Sequence, residues 1–128
     1  MRRAQAPGPG WVAVMDRLTV LYEAIRRRDA DGIAAQLAPG TDWPDALAGT
    51  RVTGRDAVRA YWLGQWEVLE LDLHPRLMRE LPDGRVEVLV DQTVRDRDGD
   101  LLSQTVVLHT YTFDGGLVSR MDVGDPAI

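Results

Sequence analysis

The stretch from Val86 to Val123, VEVLVDQTVRDRDGDLLSQTVVLHTYTFDGGLVSRMDV, decides the fold. Val86, Val88, Val90, Gln92 and Val94 alternate with mostly polar residues, the period-two pattern of a strand with one buried face. Asp96-Arg97-Asp98-Gly99-Asp100 turns the chain, and Leu101 to Phe113 is a second long strand. Asp114-Gly115-Gly116 is the tightest hairpin signal in the sequence, because a two-residue turn needs residues that tolerate positive φ. Leu117 to Val123 returns as a last strand. Connections this short join antiparallel neighbours, since a parallel pair needs a long crossover.

Upstream of this meander, Leu69, Leu71, Leu73, Leu77 and Leu81 occupy odd positions of one more long strand, closed by the turn Pro82-Asp83-Gly84. Pro75 falls on the same parity and implies a sheet edge or a bulge, because it has no N–H to give a ladder. Earlier still the period is helical. Trp11, Val14, Met15, Leu18, Leu21, Tyr22 and Ile25 form one wide apolar stripe, predicting a helix from Trp11 to Arg28. Its basic end, Arg26-Arg27-Arg28, complements the helix dipole. Asp29 offers an N-cap to a short second helix carrying Ile33 and Leu37, stopped by Pro39-Gly40. Thr41 to Asp45 reads as a short extended piece, followed by a loop rich in small residues to Gly54. Thr53-Gly54-Arg55-Asp56 looks like a capping box opening a third helix from about Arg55 to Trp66, with Val58, Tyr61, Trp62 and Trp66 on one side.

Helices followed by a meander of long strands is an α+β pattern. Long twisted strands curl, and an amphipathic helix can close the open side. The expected architecture is therefore a cone-shaped, curved antiparallel sheet wrapped around an N-terminal helix layer, with one internal pocket. At 128 residues the chain suits one domain, read as residues 11–128 behind a disordered lead-in of residues 1–10. Met1-Arg2-Arg3 resembles the basic end of a signal peptide, but Pro7-Gly8-Pro9-Gly10 interrupts the apolar stretch that should follow.

Composition narrows function mainly by exclusion. The net charge of -5 argues against nucleic acid as partner, because phosphate binding needs a positive face. No apolar run is long enough to span a membrane as a helix. Without cysteine there is no thiolate nucleophile, disulfide framework or thiolate metal site, which fits a reducing, cytoplasmic setting. With two histidines a histidine-based metal site is not expected. Phosphate-loop, dinucleotide and nucleophile-elbow motifs are missing, and no cofactor is implied.

The informative residues are polar groups on apolar faces, since a buried polar group without a partner costs about 1–3 kcal/mol. His109 shares a face with Val107, Tyr111 and Phe113. Gln92 shares one with Val88, Val90 and Val94. Asp45 sits between Trp43-Pro44 and Ala46-Leu47. Each has a plain alternative: a satisfied core histidine, a cross-strand hydrogen-bond partner, and an Asx-turn. Converging on one cavity, they would be the few placed polar groups that a ligand pocket needs among apolar walls. Trp62 and Trp66, four apart on one helix face, are core packing or a flat aromatic wall for a ring-shaped ligand.

Asp29-Ala30-Asp31-Gly32-Ile33-Ala34-Ala35-Gln36-Leu37, then Trp43-Pro44-Asp45, then Thr53-Gly54-Arg55-Asp56-Ala57-Val58-Arg59-Ala60-Tyr61-Trp62 resemble bacterial ketosteroid isomerases. The run from His109 through Tyr111, Phe113 and Gly115-Gly116 to Met121 looks like that family's last hairpin. The chain is similar above all to the SnoaL-like, polyketide-cyclase-like branch of the nuclear-transport-factor-2-like (cystatin-like) superfamily. This resemblance implies an α+β barrel with an internal site and a homodimer formed through the sheet. It implies Asp45 as general base and His109 as the neutral donor to a substrate oxyanion. Tyr22, Trp43, Trp62, Trp66, Gln92, Tyr111 and Met121 are then expected to bind an apolar or ring-containing small molecule. Two departures stand out. The isomerases' oxyanion tyrosine falls on Leu21, with Tyr22 one residue away. Asp122, at the cyclases' second acidic position, has the opposite strand parity to Met121 and is expected to face outward beside Arg120. The function implied is a cofactor-independent isomerase or cyclase. The alternatives are a non-catalytic binding module and a dimerising scaffold domain.

Overall fold

The computed structural model describes residues 9–126. Helices α1 (Pro9–Arg27) and α2 (Ala30–Ala34) lead into strands β1 (Leu37–Asp45) and β2 (Thr50–Thr53). Helix α3 (Arg55–Val68) follows, and then β3 (Leu69–Glu80), β4 (Val86–Asp96), β5 (Leu101–Asp114) and β6 (Leu117–Gly124). The six strands form one curved sheet in the order β2-β1-β6-β5-β4-β3. The meander from β3 to β6 is antiparallel throughout, as its short turns require. β1 joins the far side of β6 in parallel, which the long excursion through α3 and the meander makes possible.

The apolar stripe of α1 packs against the sheet: Leu18, Leu21, Tyr22 and Ile25 are sealed from solvent, as are Val86, Val88 and Val90 of β4. Each fully buried aliphatic side chain contributes about 1.5–3 kcal/mol, so these two stripes hold the helix layer to the sheet. Asp29 caps α2 as its sequence suggests, its carboxylate accepting from the Gly32 N–H at 2.9 Å. Gly32 is needed there, because a Cβ would come within 2.4 Å of the Asp29 carboxylate. Among the described residues no helix is long and apolar enough to cross a membrane.

Several expectations are corrected. Leu37 belongs to β1, not to the second helix, because it pairs with Val118 of β6; Pro39 and Gly40 lie at a break in that pairing register and are exposed. The small-residue loop contains β2, whose Thr50 to Thr53 pair with Asp45 to Asp42. The capping box does not form. Thr53 stays in β2, and Gly54 takes the N-cap at φ 102°, a conformation open to glycine, with its N–H bonded to the Thr41 carbonyl. Pro75 marks both an edge strand and a bulge: β3 closes the sheet, and its register shifts between Pro75 and Leu77. That shift reverses the parity, so Leu77 is 64% exposed and Met78 turns inward instead. Residues 1–8 of the expected lead-in lie outside the described residues, and Pro9 and Gly10 already belong to α1.

Candidate functional site

His109 stands on β5, on the same face as Val107 and Tyr111, so the pleat aims it at the concave side of the sheet. Tyr22 approaches it from the last turns of α1. The two rings lie parallel, 9° apart in plane, and the Tyr22 hydroxyl is 2.7 Å from His109 Nδ1. Tyr111, the next residue on the same face of β5, donates its own hydroxyl proton to the Tyr22 oxygen at 2.8 Å. In this direction of the chain Tyr22 has its proton left for Nδ1. An imidazole that accepts at Nδ1 carries its hydrogen at Nε2, and His109 can then serve as a neutral Nε2–H donor. Burial reinforces this by pushing the His109 pKa from 6.5 down to about 4. Burial likewise raises the Tyr22 and Tyr111 hydroxyls, so both stay protonated.

Beside this corner lies a cavity of about 140 Å³ between the concave sheet, α3 and the loop after β1. Its sheet wall includes Leu71, Leu73, Gln92, Val94, His109 and Tyr111. Met121 and Val123 close it from β6. Ile25, Tyr61, Trp62 and Gln65 form the helical wall, and Trp43, Pro44, Ala46 and Leu47 form the mouth. The aromatic side chains interlock: Trp43 meets Trp62 edge-on at 6.3 Å and Tyr111 at the same centroid distance. Only a few polar groups interrupt the apolar surface, which is the composition of a small-molecule pocket. Among the described residues no cluster of three or more His, Asp or Glu side chains is placed to hold a metal ion.

The structure thus brings together Trp43, Trp62, Gln92, His109, Tyr111 and Met121 around one cavity. Three other expected residues stand apart from its lining. Tyr22 lies behind His109 and reaches the cavity only through its two hydrogen-bond partners, His109 and Tyr111. Trp66 packs behind Trp62, 5.8 Å between centroids, because it sits one turn further along α3. Asp45 is half-buried at the mouth between two lining residues, Pro44 and Ala46, and its Oδ1 accepts from the Ala48 N–H at 3.2 Å, three residues on, which caps the loop as expected but one residue further along than an Asx-turn. Its charge still reaches the cavity, since Tyr61 has its hydroxyl pKa raised by burial and then by the Asp45 carboxylate.

Asp122 faces outward, as its parity requires. Arg120 holds it at 2.9 Å and keeps its carboxyl pKa low, and Arg51 and Asp42 complete an exposed network across β2, β1 and β6. Tyr61 and Gln65 are the lining residues that sequence reasoning passed over. The signal in the sequence was Gln65 itself, a polar residue between Trp62 and Trp66 on a helix face that is otherwise apolar.

The solved structures that this fold resembles include an NTF2-like protein of unknown function from Burkholderia pseudomallei. The two are 26% identical, with a TM-score of 0.77 over 89% of this chain and 91% of that one. TerC, co-crystallised with polyporic acid, is 23% identical, with a TM-score of 0.77 over 89% and 92% of the two chains. A putative polyketide cyclase from Xanthomonas campestris pv. campestris is 19% identical, with a TM-score of 0.74 over 89% and 90%. Among curated proteins none matches this sequence. The SnoaL-like domain family matches residues 18–121, a span that opens at the first sealed leucine of α1 and closes at the pocket methionine of β6. The chain belongs to the SnoaL-like domain family.

Proposed function

We propose that the cavity binds an apolar, ring-containing small molecule and moves a proton next to its carbonyl group, without a cofactor. The observation that carries this reading is His109: a buried, neutral imidazole whose Nδ1 is occupied by Tyr22, leaving an Nε2–H to offer to a ligand oxygen. A neutral donor fixed in an apolar site is suited to an oxygen that gains charge during reaction. In this scheme a carboxylate oxygen of Asp45 takes a proton from the carbon beside the carbonyl. The C–H electron pair forms the enolate C=C bond, and the carbonyl pair moves to oxygen, where His109 donates a hydrogen bond. Returning the proton to a different carbon gives isomerisation. Attack of the enolate carbon on a second carbonyl gives ring closure: the first C=O re-forms, and the new alkoxide takes back the proton held by Asp45.

Family membership and the likeness to TerC and to a putative cyclase support a small-molecule ligand. One observation favours a second reading, a binding module without chemistry: Asp45 already accepts a hydrogen bond from its own loop and does not line the cavity. Either reading accommodates a homodimer through the convex sheet face, where Leu77, Leu89 and Leu108 fall in one cross-strand row.

The test is hydrogen–deuterium exchange at the α-carbon of 1-tetralone in D₂O, followed by proton NMR. The wild-type protein is expected to accelerate exchange over buffer. Asp45→Asn should remove at least about a hundredfold of that rate, and His109→Leu a comparable factor. Full exchange by Asp45→Asn would end the role of Asp45. Tight binding of the ketone with no exchange would leave the binding module as the function.

A further inference from the structure

Two side chains on one face of α3, Tyr61 and Gln65, line the cavity with polar groups that the fold leaves without well-formed partners. Gln65 is only 8% exposed and lines the cavity, yet among the described residues its carboxamide makes no hydrogen bond of normal geometry. Tyr61, one turn earlier on the same wall, likewise has no side-chain hydrogen bond of normal geometry, although the Gln65 carboxamide is near enough to lower its hydroxyl pKa slightly against the larger effect of burial. The Trp62 and Trp66 indole N–H groups also lack partners among the described residues, but both are sealed in the packing and do not open on the cavity. The spacing explains why Tyr61 and Gln65 gather: four positions apart, they lie on one face of the helix. Buried polar groups are normally satisfied, so a group of this kind on a cavity wall points to a partner that comes and goes.

The balance of donors and acceptors indicates what that partner offers. The phenol supplies one donor and the carboxamide two, with an acceptor oxygen on each. Burial and the Asp45 charge together keep the Tyr61 proton in place. On the sheet wall His109 adds its Nε2–H. Both walls therefore present a donor, and the site suits a ligand with oxygen lone pairs toward each. The helical wall and the His109 corner belong to different elements, α3 and β5, so each is served by a ligand oxygen of its own.

We infer that Gln65 is a specificity-determining residue: with Tyr61 it forms a second polar anchor, and the ligand is a ring compound bearing two acceptor oxygens at separate positions, one for His109 and one for α3. This rests on the reading of the cavity as a ligand site and sharpens its substrate class, from any apolar ring ketone to a doubly oxygenated one. Gln65 selects between the two because a buried carboxamide facing a ligand edge without oxygen stays unpaired, and sites of that kind reject the ligand that lacks the matching group.

Calorimetric titration with two probes of similar size tests it: 1-tetralone, with one carbonyl, and 1,4-naphthoquinone, with two on opposite ring positions. Wild-type protein is expected to bind the quinone at least about tenfold more tightly. Gln65→Leu should shrink that ratio to about threefold or less, chiefly by weakening binding of the quinone. Gln65→Glu, which keeps the size and polarity of the residue, should also lower the ratio, by setting a carboxylate against a carbonyl oxygen. It serves as the readout if the leucine variant does not fold. Equal affinity of wild-type protein for both probes, or an unchanged ratio in the variants, overturns the second anchor while leaving the cavity a ligand site. Failure of both probes to bind wild-type protein overturns the anchor and the ligand site together.

Discussion

At the His109 corner, Tyr111, Tyr22 and the imidazole are joined by hydrogen bonds of 2.8 and 2.7 Å and shut away from solvent. On the α3 wall and at the mouth, Tyr61 and Gln65 face the same cavity without well-formed partners, beside an Asp45 that holds only its own loop. The first region is completed by folding and the second is left for something else to complete. The two regions should therefore respond differently to mutation. Disturbing the corner costs stability, because satisfied buried groups become orphans. Disturbing the wall costs recognition, because the folded protein never used those groups.

The largest expected consequence is a pH dependence centred on one residue. His109 titrates near 6.5 when unfolded and is pushed down to about 4 by burial in the fold. The unfolded chain therefore binds more protons between these values, so stability falls as pH drops through that window and is full above it. Each tenfold weakening of proton binding by the fold is worth about 1.4 kcal/mol, so the loss from pH 7 to pH 4 is about 3 kcal/mol. Urea unfolding across this range should show the slope in wild-type protein and its flattening in His109→Leu. Asp122, whose carboxyl Arg120 holds low, works in the same direction but at more acid pH. A wild-type stability that is flat from pH 7 to about pH 4.5 would mean that the histidine is not held neutral.

Next in size is Tyr22→Phe. It keeps the buried ring and removes one oxygen that serves two neighbours, leaving the Tyr111 hydroxyl and His109 Nδ1 unpaired. A loss of about 2 kcal/mol in chemical denaturation is expected. Nitrogen-15 NMR of the imidazole supplies a second readout. The Nε2–H tautomer should dominate in wild-type protein and give way to a mixture in the variant, because nothing then holds Nδ1 as the acceptor.

How much of this was legible in the sequence follows the same division. Period-two and helical patterns place the meander, α1 and α3, because burial on one face leaves a regular trace. The faces of His109 and Gln92 and the outward turn of Asp122 follow from strand parity alone. What the pattern misses depends on contacts made at long range. Thr50 to Thr53 form a strand only because Trp43 and its neighbours lie alongside. Leu77 turns outward because a bulge at Pro75 resets the parity. Tyr22 reads as a displaced oxyanion residue, and only the packing of α1 on β5 shows that it grips the imidazole from behind. Gln65 was visible as a polar interruption, but its lack of a well-formed partner is a property of the assembled wall.

A smaller effect on stability is expected at Tyr61→Phe. The hydroxyl is half-buried and makes no side-chain hydrogen bond of normal geometry, so unfolding should shift by no more than about 0.5 kcal/mol. Titration of the variant with 1,4-naphthoquinone should show weaker binding despite that. A variant destabilised by about 2 kcal/mol instead would place Tyr61 with the corner, among groups that folding itself satisfies.

The smallest change in stability is expected from Asp45→Asn, which is why that substitution bears most directly on chemistry. Its hydrogen bond comes from the Ala48 N–H to a side-chain oxygen, and an asparagine carbonyl can accept it in the same loop geometry. Among the described residues the charge has no ion-pair partner, so neutralising it removes no salt bridge. A shift within about 0.5 kcal/mol is expected in thermal or urea unfolding. Against that unchanged background, a large fall in carbon–deuterium exchange identifies a proton acceptor, because the turn, the cavity and its walls all survive. Equal losses of stability and exchange would assign Asp45 to the architecture of the mouth, and the His109 corner would then be a recognition device with no base beside it.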